Sequence, residues 1–307
     1  RAGVCQKAPE NLEYPQSSDL DMEQREAMRE ALEIGLIIVG DEILSGKRED
    51  RHFAKTREIL AARGLALSWV SILGDSQSRC TQLLRQSLAS QDLVFSLGGI
   101  GSTPDDFTRQ SAAEALGRPL VLHPEARDLI AQRSQESGQP LTPERLRMGE
   151  FPEGAQIVPN PFNRIPGFSI GRHYFLPGFP VMSWPMMEWI LDTHYRDWFQ
   201  AHAEIDWSMT VLQIFEATVT PLLETVAQAF PQLKIYSLPS GPIPGEASLP
   251  PKRHLELGVK LTGPVLQQLA QADRAEAERA LAQAYAMLRQ GVVALGGQVT
   301  DEKQLQR

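Results

Sequence analysis

Cysteine is nearly absent: Cys5 and Cys80 are the only two in 307 residues. They set up neither a disulfide framework nor a metal-ligand spacing, and point to a reducing, cytoplasmic setting. Long apolar runs are missing as well. None approaches the length of a membrane-spanning helix, and no charged-then-apolar leader opens the sequence. A basic excess is also lacking, with 30 Lys and Arg against 38 Asp and Glu and a net charge of −8. With a pI of about 5.4, nothing global recruits nucleic acid or an anionic membrane. The apolar content is ordinary, over a length that supports a real core and two domains.

The chain divides by pattern. Residues 1–32 read as an extension: a polar arm to about residue 20, then helix formers with few apolar positions. Residues 33–200 open with alternating strands and helices. Glu33–Val39 reads as a buried strand running into Gly40-Asp41-Glu42. A helix over about His52–Arg63 follows, stopped by Gly64. Leu65–Leu73 is a second strand, ending at Gly74-Asp75. Ser76–Ala89 is a helix whose Cys80, Leu83, Leu84 and Leu88 share a face, which makes Cys80 a core residue. Leu93–Leu97 is the third strand. This order predicts an α/β domain with a parallel sheet covered on both faces. Later come short helices at Pro124–Ser137 and Pro143–Gly149, short strands near Gln156–Val158 and Ser169–Leu176, and a helix over about 181–200. Residues 201–307 read as a small α+β module, ferredoxin-like in outline: strands at 209–215, 233–238 and 255–261, helices at 219–230 and 264–289.

The informative stretch is Asp92–Thr108, DLVFSLGGIGSTPDDFT. A buried strand turns on Gly98, Gly99 and Gly101. Pro104 then suits the first turn of a helix over 104–116, with Thr103 as its cap. Glycines there let backbone N–H groups meet an anion, and a helix start adds partial positive charge. Asp105 and Asp106 set two carboxylates beside that point, which makes sense with a metal ion or a proton transfer. The same run also reads as an ordinary Gly-rich turn with acids favouring a helix N-terminus. Asp41 and Glu42 likewise read either as ligand groups or as turn residues. Yet Asp41/Glu42, Asp75 and Asp105/Asp106 all follow strand C-terminal ends, which share one edge of a parallel sheet.

Taken together, GDEILSG at 40–46, Asp50, GGIGSTPDDFT at 98–108 and LPGFP at 176–180 resemble the CinA (competence/damage-inducible) family, whose N-terminal part is a molybdopterin-binding domain of the MoaB/MogA kind. The resemblance covers nearly all of residues 33–307 and implies a three-layer α/β/α fold with a pocket at the sheet edge. It implies a phosphorylated pterin or nucleotide as ligand, with molybdopterin itself a candidate. Carried over by position, Gly40, Ser45, Gly98, Gly99, Gly101, Ser102 and Thr103 line the phosphate, Thr108 braces the turn, and Arg164 stands near. The same carry-over makes Asp75, Asp105 and Asp106 acid–base groups, and Asp41, Glu42 and Asp106 ligands for Mg²⁺ or another divalent ion. Relatives of this type self-associate, so a homo-oligomer is expected. CinA-type pockets are also associated with metal-dependent hydrolysis of pyrophosphates such as ADP-ribose, which makes a nucleotide pyrophosphatase the alternative; a catalytically degenerate scaffold is the third.

The sequence departs from the family pattern around that pocket. His52 stands where an Asn is usual, as a hydrogen-bond donor or a plain helix-start residue. Asn163-Arg164-Ile165 replaces Gly-Thr-Ala, so Arg164 either pairs with a phosphate or fills the pocket. Met182 stands where an acid is usual.

Overall fold

A computed structural model describes residues 32–199, 204–240, 254–262, 265 and 271–306. The expected arm and helix before Leu32, and residues 241–253, lie outside them. Strands β1 (Ile34–Val39), β2 (Trp69–Leu73) and β3 (Leu93–Leu97) form as the apolar runs predict. With β6 (Gln156–Val158), β7 (Gly167–Ile170) and β8 (His173–Leu176) they build a six-stranded sheet in the order β2-β1-β3-β8-β7-β6. β2, β1, β3 and β8 run parallel, while β7 and β6 are antiparallel additions at one edge. The single strand expected over Ser169–Leu176 is a hairpin, because Gly171, at φ 56°, turns the chain between β7 and β8.

Side-chain alternation along β1 sets the layers. Ile34, Leu36 and Ile38 pack into one core with Ile59 and Leu60 of α2 (His52–Ala61) and Met187, Ile190 and Leu191 of α7 (Pro180–His194). Ile37 faces the opposite core, with Cys80 and Leu84 of α3 (Gln77–Leu88), Ala112 of α4 (Thr108–Leu116) and Ala126 of α5 (Pro124–Glu136). The sheet is thus sandwiched, as expected, and Cys80 is a buried core residue. A four-residue helix α1 (Asp41–Leu44) follows β1 directly. Helices α5 and α6 (Pro143–Arg147) lie between β4 (Leu120–Leu122) and β5 (Glu150–Pro152), a small antiparallel pair that the sequence did not announce.

The second sheet uses β9 (Ile205–Leu212), β10 (Lys234–Ser240), β11 (His254–Leu261) and β12 (Gln298–Gln306), all antiparallel, in the order β10-β11-β9-β12. Helices α8 (Glu216–Ala229) and α9 (Gln271–Ala294) complete a βαββαβ module, ferredoxin-like as expected. Its core is its own: Met209, Val211, Leu257 and Val259 pack against Val219, Leu281 and Leu288. β12 escapes a reading by pattern because it is a polar, largely exposed edge strand.

Candidate functional site

The parallel strands end along one edge, and the loops after them carry the candidate residues. The Gly40 amide donates to the Leu73 carbonyl, and the Gly98 amide to the Leu176 carbonyl, each at the end of a strand (2.9 and 3.0 Å). Asp41 and Asp75 then lock their loops reciprocally. The Asp41 amide donates to Asp75 Oδ2, and the Asp75 amide to Asp41 Oδ1, both at 3.0 Å. Asp41, Glu42, Leu44, Ser45, Lys47, Asp75 and Asp105 line a cleft of about 690 Å³. Carboxylates therefore do gather from three different loops. Burial raises the Asp75 carboxyl above its ordinary range, and the charges of Asp41, Glu42 and Asp105 add to that, against the lowering effect of the Asp41 amide.

The glycine loop differs from its expectation in one respect. Helix α4 starts at Thr108, not at Pro104. Thr103-Pro104-Asp105-Asp106 instead closes as a separate turn: the Asp106 amide donates to the Thr103 carbonyl (3.1 Å), and Asp106 Oδ2 accepts from the Thr103 amide (2.8 Å) and hydroxyl. The cap chemistry of Thr103 is spent within this turn, so it caps no helix. Asp105 is fully exposed and held below the usual carboxylate range, first by the Thr103 hydroxyl. That hydroxyl has one proton, so the two carboxylates compete for it, and the direct bond in this structure goes to Asp106. Asp106 is accordingly a brace of the turn and does not line the cleft, which separates it from Asp41 and Glu42.

Glycine is required by the loop's own packing. Gly98 and Gly99 sit at φ 104° and 69°. A Cβ on Gly98 would lie 2.3 Å from the Val39 carbonyl oxygen, one on Gly99 2.2 Å from Thr108 Oγ1, and one on Gly101 2.6 Å from Asp106 Oδ2. Thr108 braces the turn as expected: its hydroxyl donates to the Gly98 carbonyl (3.0 Å) and its amide to the Gly99 carbonyl (2.9 Å). Among the described residues, the amides of Gly99, Ile100, Gly101 and Ser102 have no acceptor. Ile100 is buried and the other three are half-buried. Backbone amides left without a protein acceptor take water or a ligand.

His52 is both things the sequence left open. It is the first residue of α2 and also a donor, its Nε2 lying 3.0 Å from the Gly178 carbonyl. Trp184 Nε1 donates to its Nδ1 at 3.3 Å, so a neutral ring protonated on Nε2 satisfies both partners. Gly178 in turn packs on Gly98, with an ideal Cβ 3.3 Å from the Gly98 Cα. Arg164, at φ 63°, pairs with Glu136 at 2.6 Å on the surface, so its charge is already matched. Asn163 accepts from Asn160 (2.8 Å), and both amide groups reach Met182 Sδ, which ties that loop to α7. Lys47 and Arg109 went unread in the sequence. Lys47 follows Ser45-Gly46 directly and could have been noticed as a cation in the motif. Nothing in the sequence marks Arg109 as buried.

The carboxylate oxygens suit a hard cation such as Mg²⁺ or Mn²⁺. Among the described residues, however, no three His, Cys, Asp or Glu side chains are grouped to hold an ion. The donors do not fit a resident metal.

A family model described as a probable molybdopterin binding domain matches residues 35–196, which takes in all of the six-stranded sheet but Ile34, and the glycine loop. The chain belongs to the molybdopterin-binding domain family. Its relatives include CinA-like proteins, as the motifs implied. One from Anaeromyxobacter sp. (strain Fw109-5) is 33% identical over 165 residues, 52% of this chain and 40% of that protein. A putative competence-damage inducible protein of Lacticaseibacillus casei is 33% identical over 210 residues, 66% of this chain and 50% of that protein. The chain thus spans half or less of these two relatives. A protein of Aeropyrum pernix whose name carries no function is 28% identical over 87% of this chain and 96% of its own length. The crystal structure of the protein CinA with unknown function from Thermoplasma acidophilum is 28% identical, with a TM-score of 0.48, and covers 53% of this chain and 98% of its own. Among the described residues, no helix is long and apolar enough to cross a membrane.

Proposed function

We propose that this chain binds a small phosphorylated ligand of the molybdopterin class, with a phosphate on the amides of Gly99–Ser102 and the rest of the ligand over the acid-lined cleft. The observation that carries this reading is the run of amides left without acceptors at the strand ends. The carboxylates of the cleft would repel a bare phosphate, so their charge has to be offset. Lys47 supplies one cation, and a divalent ion brought by the ligand supplies the rest. That ion would lie against Asp41, Glu42 or Asp75 and neutralise phosphate oxygens.

Isothermal titration with AMP, ADP-ribose and pyrophosphate, each with and without Mg²⁺, tests the proposal. Binding strengthened at least about tenfold by Mg²⁺ is expected, a shift of about 1.4 kcal/mol. Absence of heat and of thermal stabilisation with all three would remove it. Hydrolysis of a pyrophosphate is the second reading, and the raised Asp75 carboxyl among other acids is what favours it, as a candidate acid–base group. Phosphate release from ADP-ribose, lost in Asp75→Asn, would support that reading; binding without release would leave a binding module.

A further inference from the structure

Arg109 lies directly behind the glycine loop and is 2% exposed. Its guanidinium donates to the Gly101 carbonyl and to the Arg147 carbonyl. Its Nε finds no partner. Among the described residues it makes no ion pair. Asp106 and Glu150 act on it only through space, and Arg147 opposes them. A buried charge is ordinarily paired, because leaving water without a counter-ion is costly. Here two backbone carbonyls solvate the cation, and the carboxylates of Asp106 and Glu150 offset its charge only without contact.

Its position gives that excess charge a direction. The Gly101 carbonyl and the Ser102 amide belong to one peptide group. A cation bonded to that carbonyl draws electron density toward it and makes the Ser102 N–H a stronger donor. Ser102 is the last of the amides without an acceptor. We propose that Arg109 is the positioning residue of the anion site: it fixes and polarises the Gly101–Ser102 peptide, and a bound phosphate adds to the negative charge that no direct ion pair gives it. This rests on the phosphate-binding reading above and adds to it the group that sets phosphate affinity without touching the ligand.

The test compares wild type, Arg109→Met and Arg109→Lys by titration with inorganic pyrophosphate and Mg²⁺. Arg109→Met should weaken pyrophosphate binding by about 10-fold or more, the size expected for losing one charge-assisted contribution. Arg109→Lys, which keeps the charge but not the fork, should recover part of that loss. Pyrophosphate should also raise the melting temperature of wild type more than that of Arg109→Met. Wild-type-like affinity and an undiminished ligand-induced shift in Arg109→Met would overturn the inference and leave the binding site standing. Failure of wild type itself to bind pyrophosphate would instead remove the underlying reading. Should Arg109→Met not fold, ¹⁵N NMR of wild type decides the matter: the Arg109 Nε–H and Ser102 N–H signals should shift together along one pyrophosphate titration curve. An unmoved Arg109 Nε–H signal with a shifting Ser102 amide would overturn the proposal.

Discussion

Replacing Gly99 by Ala separates two costs that glycine avoids. The first is conformational: φ is 69° at Gly99, a region where a Cβ costs about 1 kcal/mol. The second is local. The new Cβ would lie 2.2 Å from Thr108 Oγ1, on a buried, β-branched side chain at a helix start. Thr108 relieves that contact only by rotating its hydroxyl away, which breaks its bond to the Gly98 carbonyl. Leaving a buried carbonyl without its donor costs about 1–3 kcal/mol more. The total is about 2–4 kcal/mol. Gly46 is the matched control, since its φ is 71° but no atom lies within 4 Å of an added Cβ. Gly46→Ala should therefore cost about 1 kcal/mol, the conformational part alone. Urea unfolding followed by tryptophan fluorescence measures both. If Gly99→Ala costs no more than Gly46→Ala, the close packing of the loop on Thr108 is wrong.

Other perturbations follow from named contacts. The Asp75 carboxyl titrates above its ordinary value of 3.8 in the folded state, so the folded chain holds its proton more tightly than the unfolded chain does, and stability falls as pH rises through that window. Asp75→Asn should stabilise the protein at pH 7, with the gain shrinking as pH falls through the raised folded value and gone below about pH 4, measured as melting temperature against pH; a gain that persists at low pH would count against the account of burial and like charge. Asp50 Oδ1 and Oδ2 accept from the His52 and Phe53 amides at 2.9 and 3.1 Å, so Asp50→Ala should cost about 1 kcal/mol and Asp50→Asn much less, by urea unfolding. Arg63 forms a two-pronged ion pair with Asp192 at 2.7 and 2.8 Å, joining the end of α2 to α7. Its hydrogen bonds hold the Asp192 carboxyl below its ordinary value, so the stabilisation is present at neutral pH and lost as pH falls. Asp192→Asn should cost about 1 kcal/mol at pH 7 and less in acid.

Much of this architecture could be read from one sequence because it rests on local signals. β1 and β3 are apolar runs buried on both faces, and Gly64 and Gly117 stop their helices at φ 68° and 65°. The acids that line the cleft were legible because they follow strand ends, and a parallel sheet brings such ends together. What went unread depends on partners distant in sequence or on competition between equally good local choices. Thr103-Pro104 carries the chemistry of a helix start, but the Asp106 side chain captures the Thr103 amide first. Arg164 looked free for a phosphate because its partner, Glu136, lies 28 residues back. Arg109 resembled any surface arginine until the fold buried it. β12 lacks apolar alternation because an edge strand with an open face needs little of it.

The central claim is that the unspent amides of Gly99–Ser102 are a phosphate seat. A crystal structure of the protein grown with AMP and Mg²⁺ tests it most directly. The account predicts a phosphate group within hydrogen-bond distance of the Gly99, Ile100, Gly101 and Ser102 amides, with the ion between that phosphate and the Asp41, Glu42 or Asp75 carboxylates. AMP bound elsewhere, with those amides turned to water alone, would contradict it.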